Sequence, residues 1–464
     1  MKKGTYLEEV KNQYENYPYP PRDPEDEKGV LFSSKSSSLD AINYFCFNGE
    51  RDFSKPFRVL VPGGGTGDCT TYLAEQLRDT PAEIVYLDMT KASMEMAKAR
   101  AEVRGLTNIT WIHDSILNLP EMDIGLFDYI TCTGVLHHLS DPQAGLDALK
   151  SVLHPEGSIF LMLYGQYGRT GIYQMQELLR RIHVNEEDLQ KKVNNTKSIL
   201  KTLPTGNWFN FNANDWASEL QTDIGIYDLL LHPQDRAYTV PELYDYVEKS
   251  GLKLNKLFNS DHILADMLFQ PETFIRDPAI LQSVKQQSFR EQAAICELMF
   301  GQLMKQCCYI SHKEKPVPSV EDLTLIPSIA LPATRTEKYK ALNEIFTGPE
   351  MVLQLNPFIR LNRTAHVADL FKAIDGKRSA KEVIEYAHKR STKGASIEQV
   401  ESEYKSIASI LIKLHQLYLR QPGLKPYIGI PEMENRMHKL HGKKECMKAL
   451  DAFYTRNNLQ RPSK

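Results

Sequence analysis

The sequence predicts an α/β protein built on a mostly parallel sheet, followed by a smaller, helix-rich domain. Short apolar runs alternate with helical segments between residues 57 and 163, and the first run leads into a glycine-rich turn. The runs lack a polar alternation, which is typical of strands buried on both faces. Strands that alternate with helices indicate a parallel sheet. Beyond residue 350 the pattern is helical.

Composition excludes several classes of protein. The chain has 464 residues, of which 42% are hydrophobic and 25% charged, so collagen-like, coiled-coil and wholly disordered chains are excluded. A net charge of −3 argues against a nucleic-acid binder held by a chain-wide basic field, and no nucleic-acid partner is expected. Seven scattered cysteines without CxxC pairs favour reduced thiols and no metal site. No apolar run approaches the roughly 18 residues that span a bilayer, and the amino terminus lacks a signal-peptide pattern. We therefore expect a cytoplasmic protein without a membrane partner.

The first domain is predicted from its elements in order. Residues 1–52 form an amino-terminal strap or lid, in which prolines near Tyr17 and Tyr19 favour a loop that presents aromatic rings. Residues 53–315 form the α/β domain, with a helical insertion over 169–236 and a long helix over about 278–305. The predicted strands are Phe57–Val61, Ile84–Leu87, Ile109–Ile112, Tyr129–Thr133, Ser158–Leu163, Leu254–Phe258 and Cys307–Ser311, and the helices between the first five are Cys69–Arg78, Lys91–Arg104 and Asp141–Leu153.

The remainder of the chain is predicted to form a second, smaller domain. Prolines between residues 316 and 349 indicate a linker, and three helical patterns follow within 350–425. Ser379 and Glu382 have the spacing of a capping box at the start of the second helix. Residues 426–464 are basic and weakly patterned, so they are interpreted as a tail.

The strongest chemical signal is the glycine turn between the first strand and the first helix. Gly63, Gly65 and Gly67 permit a tight turn and a close approach of the backbone to a ligand, while the helix start offers N–H donors. A merely structural turn is the alternative. Asp88 ends the next strand 21 residues after Gly67, near the offset of a ribose-binding carboxylate, and Asp114 follows the third strand. Ligands of open α/β sheets bind at these strand ends, so the three features favour a nucleotide-type site.

These segments together resemble the class I S-adenosylmethionine-dependent methyltransferases, strongly over residues 53–165 and more loosely over 236–311. The resemblance rests on residues 59–67 (VLVPGGGTG), 86–88 (YLD), 113–115 (HDS), 127–142 (FDYITCTGVLHHLSDP) and 153–157 (LHPEG). It implies a Rossmann-like, seven-stranded, mostly parallel sheet and S-adenosyl-L-methionine as cofactor. A nicotinamide dehydrogenase, the alternative, needs a GxGxxG fingerprint that this turn does not have.

The resemblance also implies which residues contact the cofactor. The glycines lie along its methionine portion, Asp88 holds the ribose hydroxyls, and Asp114 faces the adenine amino group. The whole implied set is Gly63, Gly64, Gly65, Gly67, Asp88, Met89, Asp114, Ser115, Ile116 and Thr133. Two places before the first glycine, where the family often has an acidic residue, this chain has Val61, so a water-mediated contact to the cofactor is in doubt.

Few side chains are candidates for the acceptor side. His137 and His138 follow the fourth strand and are candidate general bases, or they only shape the turn. Tyr14, Tyr17 and Tyr19 form a candidate lid, with a packing strap as the alternative. Tyr164 and Arg169 follow the fifth strand, where Arg169 clamps an anionic group or makes an ion pair.

The sequence leaves the methyl acceptor open. A methyltransferase acting on an oxygen or nitrogen nucleophile is predicted, with a protein or peptide acceptor slightly ahead of a small molecule. Residues 350–425 resemble the winged helix that binds precursor peptides and the trailing domain of bacterial methyltransferases with a regulatory region; a packing or homodimerisation module is the alternative. A cofactor-binding protein without catalysis and an interaction scaffold are the hypotheses from other classes.

Overall fold

A computed structural model gives the fold. It describes residues 8–32, 37–213, 215–259, 265–329, 352–356, 359–362, 365–391, 394–425, 430–457 and 459. None of the helices within these ranges is long and apolar enough to cross a membrane.

The first domain is built on one mixed sheet, in which seven strands follow the order β3-β2-β1-β4-β5-β8-β7 and a two-residue strand, β6, pairs with β5. Strands β1 to β5 pair in parallel, whereas β8 runs antiparallel to both β5 and β7. The predicted Rossmann-like, seven-stranded, mostly parallel sheet is therefore confirmed. The strands are β1 Phe57–Pro62, β2 Ala82–Asp88, β3 Ile109–His113, β4 Phe127–Thr133, β5 Leu153–Gly165, β6 Ala237–Tyr238, β7 Lys253–Phe258 and β8 Lys305–Ser311.

The helices of the first domain include those that pack on the sheet and those that make up the insertion. Burial of nearly every residue in β1, β2 and β4 explains why these strands read as continuous apolar runs. The helices of the first domain are α1 Glu8–Asn16, α2 Leu39–Cys46, α3 Asp68–Gln76, α4 Lys91–Arg104, α5 Pro142–Ser151, α6 Thr170–Ile182, α7 Leu189–Thr202, α8 Trp208–Phe211, α9 Asp223–Leu230, α10 Val240–Lys249, α11 Pro278–Lys285 and α12 Phe289–Phe300.

Two predictions for this domain need correction. The long helix over 278–305 is two helices, because Ser288 caps a new helix and Gly301, at φ +67°, ends it before β8. The strap is not a loop at Tyr14, which lies on α1. Prolines begin only at Pro18; Val10, Gln13 and Tyr14 lie on one face of α1, and Tyr17 follows the end of that helix.

The second unit contains two separate two-stranded sheets and three helices. Strand β9 Ile326–Ile329 pairs antiparallel with β12 Leu417–Arg420, and β10 Val352–Asn356 pairs with β11 Ile359–Asn362. The helices are α13 Val367–Ala373, α14 Ala380–Lys389 and α15 Ile397–Lys413, and the capping box of Ser379 and Glu382 is present. The winged-helix resemblance stays a prediction.

The segments that the sequence predicts to be a linker (316–349) and a tail (426–464) contain a strand and two helices among the residues that the structure describes. Strand β9 lies inside the 316–349 segment, and Leu325 beside it is buried in the same core as α2 and α14. The 426–464 segment contains α16 Ile430–His441 and α17 Lys443–Arg456, which Gly442 separates. Both helices pack against the first domain, and those long-range contacts are not encoded in the local pattern of the tail.

Candidate functional site

A cavity of about 420 Å³ lies at the carboxyl ends of β1, β2, β4 and β5. One wall comes from the glycine turn and the loops after β2 and β3. The opposite wall comes from α1, the strap and helix α9 of the insertion. Its lining includes these predicted residues: Gly63, Gly64, Gly65, Asp88, Met89, Asp114, Ser115, Ile116, Thr133, His138, Tyr14, Tyr19 and Tyr164. The fold thus brings most of the predicted site residues to one place.

The glycine turn is shaped by contacts within the protein. Gly63, Gly65 and Gly67 have φ values of +63°, +52° and +98°, as the tight turn requires. A Cβ on Gly64 would lie 2.3 Å from the Tyr86 ring, and one on Gly65 would lie 2.8 Å from the carbonyl oxygen of Tyr19. The glycines therefore let β2 and the strap approach the turn, in addition to leaving its backbone open to the cavity.

Asp88 organises this wall through both carboxylate oxygens. Oδ2 accepts a hydrogen bond from the Gly65 N–H (2.9 Å), and Oδ1 accepts from the N–H (2.9 Å) and hydroxyl (2.7 Å) of Thr90. Burial nevertheless raises the pKa of Asp88 above its ordinary value. Because a carboxylate has about four acceptor positions, capacity remains for a ligand's hydroxyl groups.

The loop after β3 supplies a second acid. Asp114 Oδ1 accepts from the Ser115 N–H (2.6 Å) and from the Asn118 side-chain amide (2.7 Å), which fix its orientation. Ser115 caps the short helix that follows, and Ile116 is buried beside it. These contacts place a fixed carboxylate and an apolar side chain on one side of the cavity.

The strap crosses the glycine turn as a roof. The Thr66 hydroxyl donates to the carbonyl oxygen of Pro20 (2.7 Å), and Arg22 binds Asp68 at the start of α3 through two hydrogen bonds (2.9 and 2.6 Å). Glu27, fully buried, pairs with Arg100 and Arg104 of α4. Asp68 completes this network by accepting from Arg100 (2.7 Å). Burial opposes its charge, but Arg22 and, to a smaller extent, Arg100 lower the pKa of Asp68 below its ordinary value.

The wall opposite the glycine turn is polar and joins the strap to the insertion. The Tyr14 hydroxyl lies 3.0 Å from Asp228 Oδ1 and 3.2 Å from His232 Nε2. The Tyr19 hydroxyl donates to Glu219 (3.1 Å). Burial raises the pKa of Asp228 to about 7.

Four predicted residues lie behind the cavity and do not line it. Gly67 begins α3 and faces Ala97, and Tyr17 stacks on Tyr227 with 5.2 Å between ring centroids. His137 is fully buried and stacks on Tyr164 at 3.9 Å. The Arg169 guanidinium lies over the Tyr164 ring, 3.6 Å from its centroid. It also pairs with Asp235 (3.2 Å), so it makes a buried ion pair and not a surface one.

The electrostatics of the two histidines disfavour a strong base. Burial lowers the pKa of His138 to about 4 and that of His137 well below its ordinary value, so both are neutral at physiological pH. His138 Nδ1 donates to the carbonyl oxygen of Gln234 (2.9 Å) and its ring stacks on His232. Among the residues that the structure describes, no group of His, Cys, Asp and Glu is arranged to hold a metal ion.

Asp228 and Glu219 were missed by the sequence analysis. Both lie in the insertion, far along the chain from the motifs they meet. A signal existed for Asp228 alone, because it is an acid within the otherwise apolar stretch 224–231 of a buried helix.

Comparisons with known proteins give one domain match and several relatives. Residues 60–159 match a family model described as a methyltransferase domain. The uncharacterized protein syc1184_c of Synechococcus sp. is 32% identical over 267 residues, which are 57% of this chain and 63% of that protein. The ubiquinone biosynthesis O-methyltransferase of Vibrio campbellii is 27% identical over 153 residues, which are 32% of this chain and 62% of that enzyme. The chain thus spans less than two thirds of the length of these relatives.

Solved structures share the fold. PKMT2 from Rickettsia typhi has a TM-score of 0.59 at 17% identity, covering 87% of this chain and 77% of that chain. The same protein in complex with AdoHcy matches with a TM-score of 0.59 at 16% identity over the same shares. The predictions of a class I methyltransferase domain, and of S-adenosylmethionine as the cofactor such a domain takes, are confirmed.

Proposed function

Starting from a class I methyltransferase domain, whose family model matches residues 60–159, we propose that this protein transfers a methyl group from S-adenosylmethionine to a nitrogen or oxygen nucleophile. One observation carries the proposal. A single cavity has the glycine turn, Asp88 and Asp114 on one side and the polar wall of Tyr14 and Asp228 on the other. That arrangement suits a cofactor and an acceptor side by side.

The cofactor would be held by the turn, by Asp88 and by the loop after β3. When bound, it supplies a methyl group already activated by the sulfonium. The chain then has to position the nucleophile and exclude water from the cavity. The strap serves both needs, because its contacts with Thr66 and Asp68 keep it over the turn.

The proposed methyl acceptor is a side chain of a protein or peptide. The strap and the insertion meet through the Tyr14–Asp228 and Tyr19–Glu219 hydrogen bonds, beside the cavity that both elements line. The large insertion and the trailing helical unit also favour an extended acceptor. A small molecule is the second candidate, favoured by the relatives named ubiquinone biosynthesis O-methyltransferase.

Two measurements test the proposal with the full-length protein. Calorimetry with S-adenosylmethionine and S-adenosylhomocysteine should show binding of both, and absence of binding rejects the function. Radiolabelled methyl transfer into fractionated lysate then identifies the acceptor class. Label in large, protease-sensitive material supports a protein acceptor, whereas label confined to the small-molecule fraction replaces it with the second candidate. Binding without transfer to any fraction indicates a cofactor-binding protein.

A further inference from the structure

The polar wall contains a directed chain of hydrogen bonds that ends at Asp228. The Gln234 N–H donates to His232 Nδ1 (3.1 Å), so that nitrogen carries no proton. Burial lowers the pKa of His232 well below its ordinary value, so the ring is neutral and its proton lies on Nε2. Nε2–H therefore donates to the Tyr14 oxygen, and the Tyr14 O–H donates to Asp228 Oδ1.

This chain fixes the orientation of a carboxylate that lines the cavity. Asp228 is only partly buried, because it borders the same cavity as the glycine turn and Asp88. Its side chain is held from the strap by Tyr14, while its backbone belongs to α9 of the insertion.

We propose that Asp228 is the catalytic base of the acceptor site, and that Tyr14 and His232 are the residues that position it. The inference rests on the proposed methyltransferase function. The N–H or O–H bond of the acceptor breaks, its proton joins a carboxylate oxygen of Asp228, and the bonding electron pair stays on the nucleophile. After product release, the proton passes to solvent.

The basicity of Asp228 narrows the class of acceptor. Its pKa of about 7 makes it a stronger base than His138, whose pKa is about 4, by about a thousandfold. A group with an ordinary pKa near 10, such as an ammonium or a phenol, loses a proton to Asp228 with an equilibrium constant of about 10⁻³. For a hydroxyl as weakly acidic as water, the equilibrium constant for the same proton transfer is only about 10⁻⁹. We therefore expect an amine or a phenol as the acceptor in preference to an aliphatic alcohol.

Other charges near Asp228 do not replace it. Arg169 forms an ion pair with Asp235, and Glu219 accepts a hydrogen bond from the Tyr19 hydroxyl. The titratable and polar groups facing Asp228 or bordering its part of the cavity are Gln13, Tyr14, Tyr19, Tyr164, Arg169, Glu219, His232, Asp235 and Lys305. Burial is the largest cause of its raised pKa, and the Tyr14 hydrogen bond opposes it.

The test compares Asp228→Asn and Tyr14→Phe with Asp223→Asn, a control at the half-exposed start of the same helix, outside the cavity. Labelled methyl transfer into whole lysate is followed from pH 5 to 9 with full-length proteins. The wild-type rate should rise with pH up to about 7, because the base acts when deprotonated. Asp228→Asn should lose at least 100-fold in rate while its affinity for S-adenosylhomocysteine stays within twofold. Tyr14→Phe should shift the rise to higher pH, since it removes a donor to the carboxylate, and Asp223→Asn should match the wild type.

A second readout does not depend on turnover. In the protein without cofactor, ¹³C-carboxyl NMR of labelled aspartate should show Asp228 titrating near pH 7, and at higher pH in Tyr14→Phe. Titration near 4, or an Asp228→Asn variant with more than half of the wild-type rate, overturns the assignment. Competing small molecules test the proposed acceptor class. n-Butylamine or phenol should slow the transfer of label, and 1-butanol should not. Equal competition by 1-butanol overturns the preference for an amine or a phenol. A wild-type protein that neither binds S-adenosylhomocysteine nor transfers label overturns the proposed function, and this inference with it.

Discussion

At the scale of single residues, Asp88 shows how one side chain serves both the fold and the site. Its carboxylate accepts three hydrogen bonds from Gly65 and Thr90 and still borders the cavity. Because the turn and the carboxylate are bonded directly, the shape of the glycine turn depends on Asp88. A change at this position should therefore alter cofactor affinity and local stability together.

We expect Asp88→Ala to weaken S-adenosylhomocysteine binding by about 1–3 kcal/mol, the usual cost of losing hydrogen bonds to a charged group. Calorimetry measures the affinity, and urea denaturation measures the accompanying loss of stability. Asp123→Ala, which removes an exposed acid outside the cavity, is the matched control and should bind like the wild type. Unchanged affinity in Asp88→Ala would contradict the role of this residue.

The glycine turn, Asp88 and Asp114 could be predicted because they are adjacent in sequence to strand ends, where a parallel sheet places its ligands. Asp228 could not be placed in this way. Its partner Tyr14 is 214 residues distant, and only the packing of α1 on the insertion brings them together. Local motifs thus predict the wall of the cavity formed by the glycine turn, Asp88 and Asp114, while tertiary packing determines the opposite wall.

At the scale of elements, Glu297 joins three pieces of secondary structure. It accepts hydrogen bonds from the Val240 N–H at the start of α10 (2.8 Å) and from Gln306 of β8 (2.9 Å), while lying on α12. Only 2% of it is exposed, and burial raises its pKa to about 7. The native state therefore holds a proton that the unfolded chain releases near pH 4.5.

This pKa gives a pH dependence of defined sign. The native state binds more protons than the unfolded state between about pH 4.5 and 7, so the contribution of Glu297 to stability is lost as pH rises through about 7. We expect Glu297→Gln to abolish this contribution to the slope, which amounts to about 3 kcal/mol over the interval. Urea denaturation at pH 5, 6, 7 and 8 measures it, and parallel curves for the variant and the wild type would refute the prediction.

At the scale of the whole molecule, helix α17 fastens the strap that roofs the cavity. Arg456 binds Asp23 (2.6 Å) and Asp26 of the strap, and Phe453 packs edge-on against Phe32. A Cβ on Gly29 would lie 2.7 Å from the backbone nitrogen of Leu450, so the strap and the helix meet backbone to backbone. The tail interpreted from its sequence as weakly patterned is thus part of the first domain's surface.

We expect Gly29→Ala to separate α17 from the strap, because the clash involves backbone atoms that cannot rotate away. Overpacking of this kind costs about 1–3 kcal/mol. Hydrogen–deuterium exchange should increase in residues 443–456 and in the strap, while the central sheet stays protected. The control is Gly206→Ala, where the added Cβ meets nothing within 4 Å, and it should exchange like the wild type. Equal protection of residues 443–456 in Gly29→Ala and the wild type would argue against the contact.

The bond between Arg456 and Asp23 also orders events during translation. The two residues are 433 positions apart, and ribosomes add about 5–20 residues per second. After Asp23 is synthesised, roughly 20 to 90 s pass before its partner is made. The sheet and the glycine turn leave the ribosome well before that moment. Each newly made molecule therefore passes through an interval in which the strap can bind Asp68 and Arg100 of the first domain but cannot yet bind α17.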